Sequence, residues 1–204
     1  MELTPSTTAV VAVHMQPDIV SADGAFGRFF AAQAAERDVV GVIDKLLDAA
    51  RGAGVAVVYT RVAWKSDYSD LISNSPLLEM IVQNKCLVDG TEMAEIVPQL
   101  SPHAGDIVIT HKRIGGFTDS DLDEQLRARG IETVLFAGVA TNASVEGTAR
   151  QASDLGYRTV IISDACSAAD QSAHVASLNS LGLLAEIIRS AEAIGAISSV
   201  AVTA

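Results

Sequence analysis

Short apolar runs alternate along the chain with segments whose apolar residues recur at helical spacing. Ala9–His14 is almost continuously apolar, as strands buried on both faces of a sheet are. In Asp38–Arg51 the apolar residues at positions 39, 43, 46, 47 and 50 share one stripe, which predicts an amphipathic helix. Gly52 and Gly54 then end that helix, and Val55–Arg61 is predicted to form the second strand.

The second half of the chain repeats this alternation more regularly. Further strands are predicted at Asp106–Thr110, Glu132–Ala137, Arg158–Ser163 and Glu186–Arg189, and further helices at Asp119–Arg129, Asn142–Leu155 and Gln171–Leu184. The segment between the halves, Val62–Asp106, is irregular, with weaker helical patterns at Pro76–Val82 and Glu92–Gln99. Strand–helix–strand units in series predict an α/β fold with three layers, α/β/α, doubly wound around a largely parallel sheet of about six strands.

Composition narrows the class of protein. With 204 residues, 49% apolar and 19% charged, the chain is expected to form a single globular domain over residues 1–204. Its net charge of −11 argues against nucleic acid and anionic membranes as partners. Two cysteines, Cys86 and Cys166, are too few for a disulfide framework. Because Met1–Thr8 lacks a basic leader and no apolar window is long enough to span a membrane, we expect a cytoplasmic location.

The functional site is expected in the loops that follow the strands. In open parallel sheets, ligands bind beyond the carboxyl ends of the strands. Those loops are His14–Asp18, Val62–Tyr68, His111–Phe117, Gly138–Ser144 and Asp164–Ser167. No G-x-G-x-x-G sequence follows a strand, so NAD binding is not expected, and no other cofactor is expected either.

Three segments resemble the isochorismatase-like hydrolases, a family that includes nicotinamidases and carbamoylsarcosine amidases. They are VVAVHMQPDIV at the first strand, YTRVAW after the second, and the long stretch from VITHKRIGGFTDSDL through GVATNASVEGTARQA to DACSA. The resemblance runs from about Val10 to about Leu184, most of the chain. It implies the predicted α/β/α fold with strand order 3-2-1-4-5-6, and assembly into homo-oligomers, either dimers or tetramers.

The family carries a Cys-Asp-Lys triad, and this chain departs from it at all three positions. The aspartate position, directly before Met-Gln, is His14. The nucleophile position in the V-A-T-N block is Ser144. The lysine position, six residues before Phe117, is His111, unless a shift of one residue returns Lys112 to that role.

These substitutions change the chemistry that is expected of the site. A thiol at a helix start ionises near neutrality, whereas a serine hydroxyl needs a hydrogen-bonded base, for which His14 is the candidate. His111 or Lys112 would stabilise negative charge. By resemblance, the peptide joining Val139 and Ala140 is often cis, and the N–H groups of Ala140 and Ser144 would form an oxyanion hole.

Other residues are expected to contact the substrate or to pack near it. Gln16, Trp64, Lys112, Phe117 and Ala140 are the candidate substrate-binding residues, and Phe29, Phe30 and Tyr68 are expected in loops at the mouth of the pocket. Each has a plainer interpretation as ordinary packing. Ser144 has one as a residue of the first helical turn, and the histidines as hydrogen-bonded strand ends.

Two functions therefore stay open. The first is hydrolysis of a small amide, ester or vinyl ether at a variant Ser/His/His site, where a vinyl ether requires mainly a positioned acid. The second is a catalytically silent relative that binds a small molecule or a protein partner. No metal is expected, because the Asp-x-His of nicotinamidases is replaced after the second strand by Arg61-Val62-Ala63-Trp64. A site formed by His14, His111 and Asp18 is the remaining metal candidate.

Overall fold

A computed structural model describes residues 3–201, with side chains described as far as residue 197. Its centre is a six-stranded parallel sheet with the strand order β3-β2-β1-β4-β5-β6. The strands are β1 (Thr8–Val13), β2 (Ala56–Val62), β3 (Ile107–His111), β4 (Thr133–Val139), β5 (Arg158–Ser167) and β6 (Glu186–Ile188). The predicted fold class and strand order are confirmed, and the order reverses direction between β1 and β4, where both strands lie side by side.

Eight helices are described around the sheet. They are α1 (Pro17–Val20), α2 (Gly27–Glu36), α3 (Val39–Gly52), α4 (Pro76–Asn84), α5 (Leu122–Ala128), α6 (Glu146–Asp154), α7 (Gln171–Leu181) and α8 (Ser190–Ala201). The pattern did not predict α1, α2 or α8. Phe29 and Phe30, expected in a loop, lie in α2, and the helix expected over Glu92–Gln99 is instead two single 3₁₀ turns.

Alternate residues of the strands point into two separate apolar clusters. On one face Val10 and Ala12 of β1 pack with α3, whose Ile43, Leu46 and Leu47 are buried. On the other face Val11 of β1 joins a cluster with side chains of α5, α6 and α7. A sheet that is covered on both faces buries all its strand residues, which explains why β1 shows no polar alternation.

Two backbone conformations bring the ends of β1 and β4 together. His14 has a φ of 52°, and its N–H donates to the Thr60 carbonyl at 2.9 Å. Gly138 has a φ of 125°, and a Cβ at this position would lie 2.2 Å from the Val13 carbonyl oxygen. Only glycine permits that approach. The chain therefore leaves β1 and β4 next to each other at the carboxyl edge of the sheet.

In the part of the chain that the structure describes, no helix has the length and apolar character required to cross a membrane.

Candidate active site

Two histidines from the ends of β1 and β3 meet at the carboxyl edge of the sheet. His14 directly follows β1, and His111 is the last residue of β3, two strands away. Their Nε2 atoms lie 2.8 Å apart, and the ring centroids are 4.9 Å apart. One ring must donate its Nε2–H while the other accepts it. The sequence placed both residues at the site, and the structure joins them by a hydrogen bond.

Burial keeps both imidazoles neutral near pH 7. His14 is 3% exposed and His111 is fully buried. Burial, and then the neighbouring His111, hold the pKa of His14 well below its ordinary value of 6.5. Burial also lowers the pKa of His111 to about 4, against a small opposing effect of the Arg113 backbone. The pair is therefore an uncharged hydrogen-bonded unit, not an ion pair.

Ser144 lies in a tight turn that joins β4 to α6. The peptide between Val139 and Ala140 is cis, as the resemblance led us to expect, and the next five residues, Thr141–Val145, form a π-helical turn. The Val145 N–H donates to the Ala140 carbonyl at 3.1 Å. π turns are rare and occur frequently at functional sites. The sequence predicted a regular α-helix from Asn142, so the irregular turn around Ser144 is a finding of the structure.

A cavity with largely apolar walls joins these residues. Counted to its mouth, it holds about 490 Å³ of space not occupied by protein atoms. His14, Ser144, Val139 and Ala140 line the cavity at the sheet edge. The remaining walls come from α1, α2, α4 and the loops, namely Ile19, Phe26, Phe30, Val62, Trp64, Leu77, Leu78, Ile81, Leu87, Arg113, Ile114 and Ala143.

His14 and Ser144 face the same cavity but are not hydrogen-bonded to each other. Among the described residues, the Ser144 side chain has no hydrogen-bond partner, and Nδ1 of His14 has none either. The Ser144 carbonyl accepts a hydrogen bond from the Thr148 hydroxyl at 2.6 Å, which fixes the backbone of the turn. A serine–histidine hydrogen bond is thus not formed in this structure.

Gln16 stabilises the loop and does not line the cavity. Its fully buried amide donates to the carbonyls of Val62 and Ala94, at 2.8 and 2.7 Å, and accepts from the Val62 N–H at 2.8 Å. Backbone groups therefore satisfy the Gln16 side chain in this structure, which gives it a structural role. Its contact with a substrate stays a prediction.

Lys112 and Phe117 also lie away from the cavity. The Lys112 ammonium forms an ion pair with Asp70, outside the cavity lining. The Phe117 ring packs against the Tyr157 ring, with 6.0 Å between centroids. Consecutive residues at the end of a strand point to opposite sides, so only one of residues 111 and 112 can face His14. The structure places His111 there, and the expected substrate contacts of Lys112 and Phe117 stay predictions.

Trp64, Ala140 and Phe30 do line the cavity, as the sequence predicted. Trp64 is 1% exposed, and its Nε1 has no hydrogen-bond partner among the described residues. Tyr68, expected at the mouth, instead donates its hydroxyl hydrogen to the Cys86 carbonyl at 2.9 Å.

His174, a buried histidine that was not among the candidate site residues, hydrogen-bonds to the π turn on the side away from the cavity. His174 of α7 is 3% exposed, and burial followed by Arg37 lowers its pKa to about 4. Since a guanidinium only donates, Nη2 of Arg37 donates to His174 Nε2 at 3.0 Å. The hydrogen of His174 is then on Nδ1, which donates to the Thr141 hydroxyl at 2.8 Å. One pattern indicates that His174 is buried: residues 174, 177 and 181 form a buried face of α7 at helical spacing.

Asp18 organises the cavity wall and does not join the two histidines as a metal ligand. Its carboxylate accepts from the N–H groups of Leu87 at 2.7 Å and Ala25 at 3.3 Å. Within residues 3–201, no three His, Cys, Asp or Glu side chains converge in a way that would hold a metal ion. Asp18 therefore ties the loop after β1 to the walls contributed by the segments around residues 25 and 87.

Comparisons with known proteins agree with this fold. The sequence model described as "Isochorismatase domain" matches residues 8–192. The chain is 38% identical over 176 residues to the ureidoacrylate amidohydrolase RutB of Rhizobium rhizogenes, covering 80% of this chain and 71% of that protein. It is 33% identical over 202 residues to the isochorismatase family protein YecD of Escherichia coli O157:H7, covering 95% and 97%.

A solved structure gives the same result. The cysteine hydrolase from Pseudomonas syringae pv. phaseolicola superposes with a TM-score of 0.89 at 29% identity, over 98% of this chain and 96% of that one. The family match spans most of the chain and includes every residue of the site described above. The chain belongs to the isochorismatase-like hydrolase family.

Proposed function

We propose that this chain hydrolyses a small molecule, preferably an amide, with His14 as general base or acid and Ser144 as nucleophile or water-positioning hydroxyl. The observation that carries the proposal is the 2.8 Å hydrogen bond between His14 and His111 beside a cavity that Ser144 also lines. It gives the site an oriented imidazole that is neutral near pH 7. The preference for amides comes from the relatives named as ureidoacrylate amidohydrolases.

The direction of the hydrogen bond between the two histidines decides what His14 can do. When His14 donates its Nε2–H to His111, its Nδ1 keeps a lone pair and is a base towards the cavity. In the opposite tautomer Nδ1 carries the hydrogen and is an acid. Both are neutral states of the same pair, so His14 can accept a proton early in a reaction and return it later.

His111 is proposed to orient His14, which differs from the charge-stabilising role expected from the resemblance. In a serine–histidine–aspartate triad, the third residue holds the imidazole and stabilises the imidazolium that forms. A neutral His111 fixes the ring through the same kind of hydrogen bond but supplies no negative charge. His14 is then a weaker base than in a triad with a carboxylate.

The proposed amide hydrolysis proceeds through an acyl group on Ser144. The Ser144 hydroxyl gives its proton to His14 while its oxygen bonds to the carbonyl carbon, and the N–H groups of Ala140 and Ser144 would hold the oxyanion. The C–N bond then breaks, and the proton passes from His14 to the leaving nitrogen. Water repeats these steps on the acyl-serine and releases the acid. If Ser144 only positions water, that water attacks directly.

The test is hydrolysis of a panel of small amides, esters and vinyl ethers by the natural chain and by His14→Ala and Ser144→Ala. We expect both variants to lose at least about a hundredfold in kcat/KM if serine is the nucleophile. Loss with His14→Ala alone indicates acid–base catalysis on water or on a vinyl ether. The matched control is His103→Ala, at an exposed histidine outside the cavity, which leaves turnover unchanged.

One observation favours the second candidate, a silent relative that retains the binding cavity. The Ser144 hydroxyl and the His14 ring are not hydrogen-bonded, so the nucleophile has no base in contact. For that function, the natural chain turns over nothing on the panel. The triple variant Ser144→Cys, His14→Asp, His111→Lys, which restores the triad of the family, would then hydrolyse members of the same panel.

A further inference from the structure

We infer that residues 65–87 form a flap over the cavity, and that Lys112 and Arg113 form the latch that controls its opening. The inference rests on the proposed function, because it concerns access to the groups that would carry out catalysis. Three observations carry it: the burial of those groups, the way in which the flap joins the rest of the chain, and the backbone conformation at its two ends.

The side chains at the back of the cavity are shielded from solvent. His14 is 3% exposed and Ser144 is 7% exposed, so a molecule reaches both only when one wall of the cavity moves. The wall at the sheet edge is carried by β1 and β4, whose displacement would break the pairing between them. The wall from α2 is tied to β5, because Arg37 at the end of α2 donates to the carbonyls of Ser163 and Cys166, both at 3.0 Å.

The remaining wall belongs to a loop whose two ends meet. Trp64 and Val88 form an isolated β-bridge. The Trp64 N–H donates to the Leu87 carbonyl at 3.0 Å, and the Asp89 N–H donates to the Trp64 carbonyl at 2.8 Å. The flap, residues 65–87, lies between the two sides of this bridge and includes α4. Its apolar side chains line the cavity, namely Leu77, Leu78, Ile81 and Leu87. The flap can therefore rotate about the bridge while the sheet stays intact.

Two cations that follow β3 hold the part of the flap that precedes α4. Lys112 forms an ion pair with Asp70. The Arg113 guanidinium donates to the Ile72 carbonyl at 3.1 Å and to Asn74 Oδ1 at 2.8 Å. The Lys112 side chain is 40% exposed and that of Asp70 is 17% exposed, so solvent and salt weaken the pair. Contacts of this strength can open and close reversibly, as a latch must.

Residues near both ends of the flap are in the left-handed backbone region. The φ angle is 54° at Tyr68, 51° at Lys85 and 55° at Leu87. Residues other than glycine rarely adopt this region, and such positions cluster in ligand clamps and switches. Lys85 ends α4, and Asp18 accepts the Leu87 N–H at 2.7 Å, which keeps that end of the flap in place. These positions are therefore the hinges about which α4 would move as a unit.

Alkylation of a thiol inside the cavity tests the flap without any turnover. The starting protein carries Ser144→Cys and Cys86→Ala, so its one other thiol is Cys166, which is fully buried in β5. Iodoacetamide is the probe, and mass spectrometry gives the rate at each position. We expect Lys112→Met and Arg113→Met together to raise the rate at position 144 by at least about threefold. Because losing nearby cations raises the pKa of a thiol and slows its reaction, a faster rate reports access.

Further variants show whether the ion pair itself is the latch. Asp70→Lys alone is expected to raise the rate at position 144. Asp70→Lys combined with Lys112→Asp reverses the pair and should restore the slow rate. Arg127→Met is the matched control, because it breaks an exposed ion pair with Asp123 on α5 and should leave the rate unchanged. About 1 M NaCl should raise the rate in the starting protein more than in the released latch.

The outcome is separable from that of the proposed function. A rate at position 144 that is the same in all latch variants would overturn the inference. A rise that Cys166 shares would also overturn it, because unfolding would then be the cause. Faster alkylation at position 144 without hydrolysis of any panel member upholds the flap and refutes the hydrolase proposal. Hydrolysis by the natural chain, with no effect of the latch variants on alkylation, gives the reverse result.

Discussion

At the scale of single residues, burial controls the protonation of the side chains that form the candidate site. His14 and His111 share one hydrogen bond and are kept neutral by the loss of water around them. A neutral pair costs little to bury, whereas a charged pair needs further hydrogen bonds to repay its desolvation. The residue identities at 14 and 111 therefore determine both the stability of this edge of the sheet and the kind of proton transfer available there.

This burial predicts how stability depends on pH. The folded pKa of His111 is about 4 and the unfolded value is 6.5, so between these values the unfolded chain binds more protons. The contribution of His111 to the free energy of unfolding is fully present above the unfolded pKa and is lost as the pH falls towards 4. This loss is about 3 kcal/mol for this residue. His111→Gln should flatten the dependence of the free energy of unfolding on pH, as measured by urea unfolding in that range.

His103→Gln is the matched control, because His103 is exposed and should leave the slope unchanged. An unchanged slope in His111→Gln would mean that the pKa of His111 in the folded protein is close to its ordinary value of 6.5.

At the scale of elements, the π turn after β4 is held between the sheet and α7. Arg37, at the end of α2, donates through His174 to Thr141, and the Ser177 hydroxyl lies 3.1 Å from the Thr141 carbonyl oxygen. Side chains from α7 and from the end of α2 thereby fix the backbone that carries Ser144. His174 is thus a positioning residue for the turn, and it does not itself reach the cavity.

His174→Leu tests this positioning role. The substitution leaves Arg37 and Thr141 without their buried partner, so we expect a loss of roughly 2 kcal/mol in the free energy of unfolding. We also expect faster amide hydrogen exchange in residues 140–146 than elsewhere at the same sheet edge. Val175→Ala, at the neighbouring 41% exposed position of α7, should change stability by less than about 0.5 kcal/mol. Equal exchange in both variants would exclude the role of His174.

The sequence predicted the elements whose apolar pattern is decisive and missed those whose pattern is interrupted. α3 was predicted to within one residue at each end, because a full apolar stripe packs on the sheet. α2 was missed, and its two phenylalanines, Phe29 and Phe30, were expected in a loop. The extra turn at Thr141–Val145 has no signature in the residue pattern.

Part of the candidate site could be predicted from the sequence, because some of its residues occupy clear motif positions. His14, His111 and Ser144 follow from motif positions at the ends of strands, and the structure brings them to one edge. Gln16, Lys112 and Phe117 were placed by adjacency along the chain, and adjacency does not say which way a side chain points. Arg113 and the cavity wall from α4 were not predicted, because their positions depend on the path of the irregular middle segment. No local sequence pattern defines that path.

At the scale of the whole molecule, the carboxyl edge of the sheet carries the site while the β6 edge carries exposed apolar side chains. Val175, Leu183 and Leu184 are 41%, 87% and 43% exposed, and they lie near β6. Assembly into a homo-oligomer, implied by the resemblance, stays a prediction. We expect sedimentation velocity to give a species heavier than the 21.2 kDa chain, and Leu183→Glu to shift it towards the monomer, with Ile72→Glu as the exposed apolar control.

The neutral pair at positions 14 and 111 also predicts how a charge at either position would be tolerated. An aspartate at 14 would face a histidine able to take a proton and form an ion pair. A lysine at 111 would place a buried ammonium against a neutral imidazole, which typically costs about 3–5 kcal/mol. The pair therefore accommodates a single negative charge at 14 far better than a single positive charge at 111.

Two single variants introduce these charges one at a time. His14→Asp should retain most of the free energy of unfolding at neutral pH, whereas His111→Lys should lose several kcal/mol, and the double variant should recover part of that loss. Urea unfolding of the four proteins gives this coupling directly, and a His111→Lys chain as stable as His14→Asp would contradict it. The 2.8 Å contact between the two rings thus couples the charges that the two positions tolerate, so that a positive charge at 111 requires a negative one at 14.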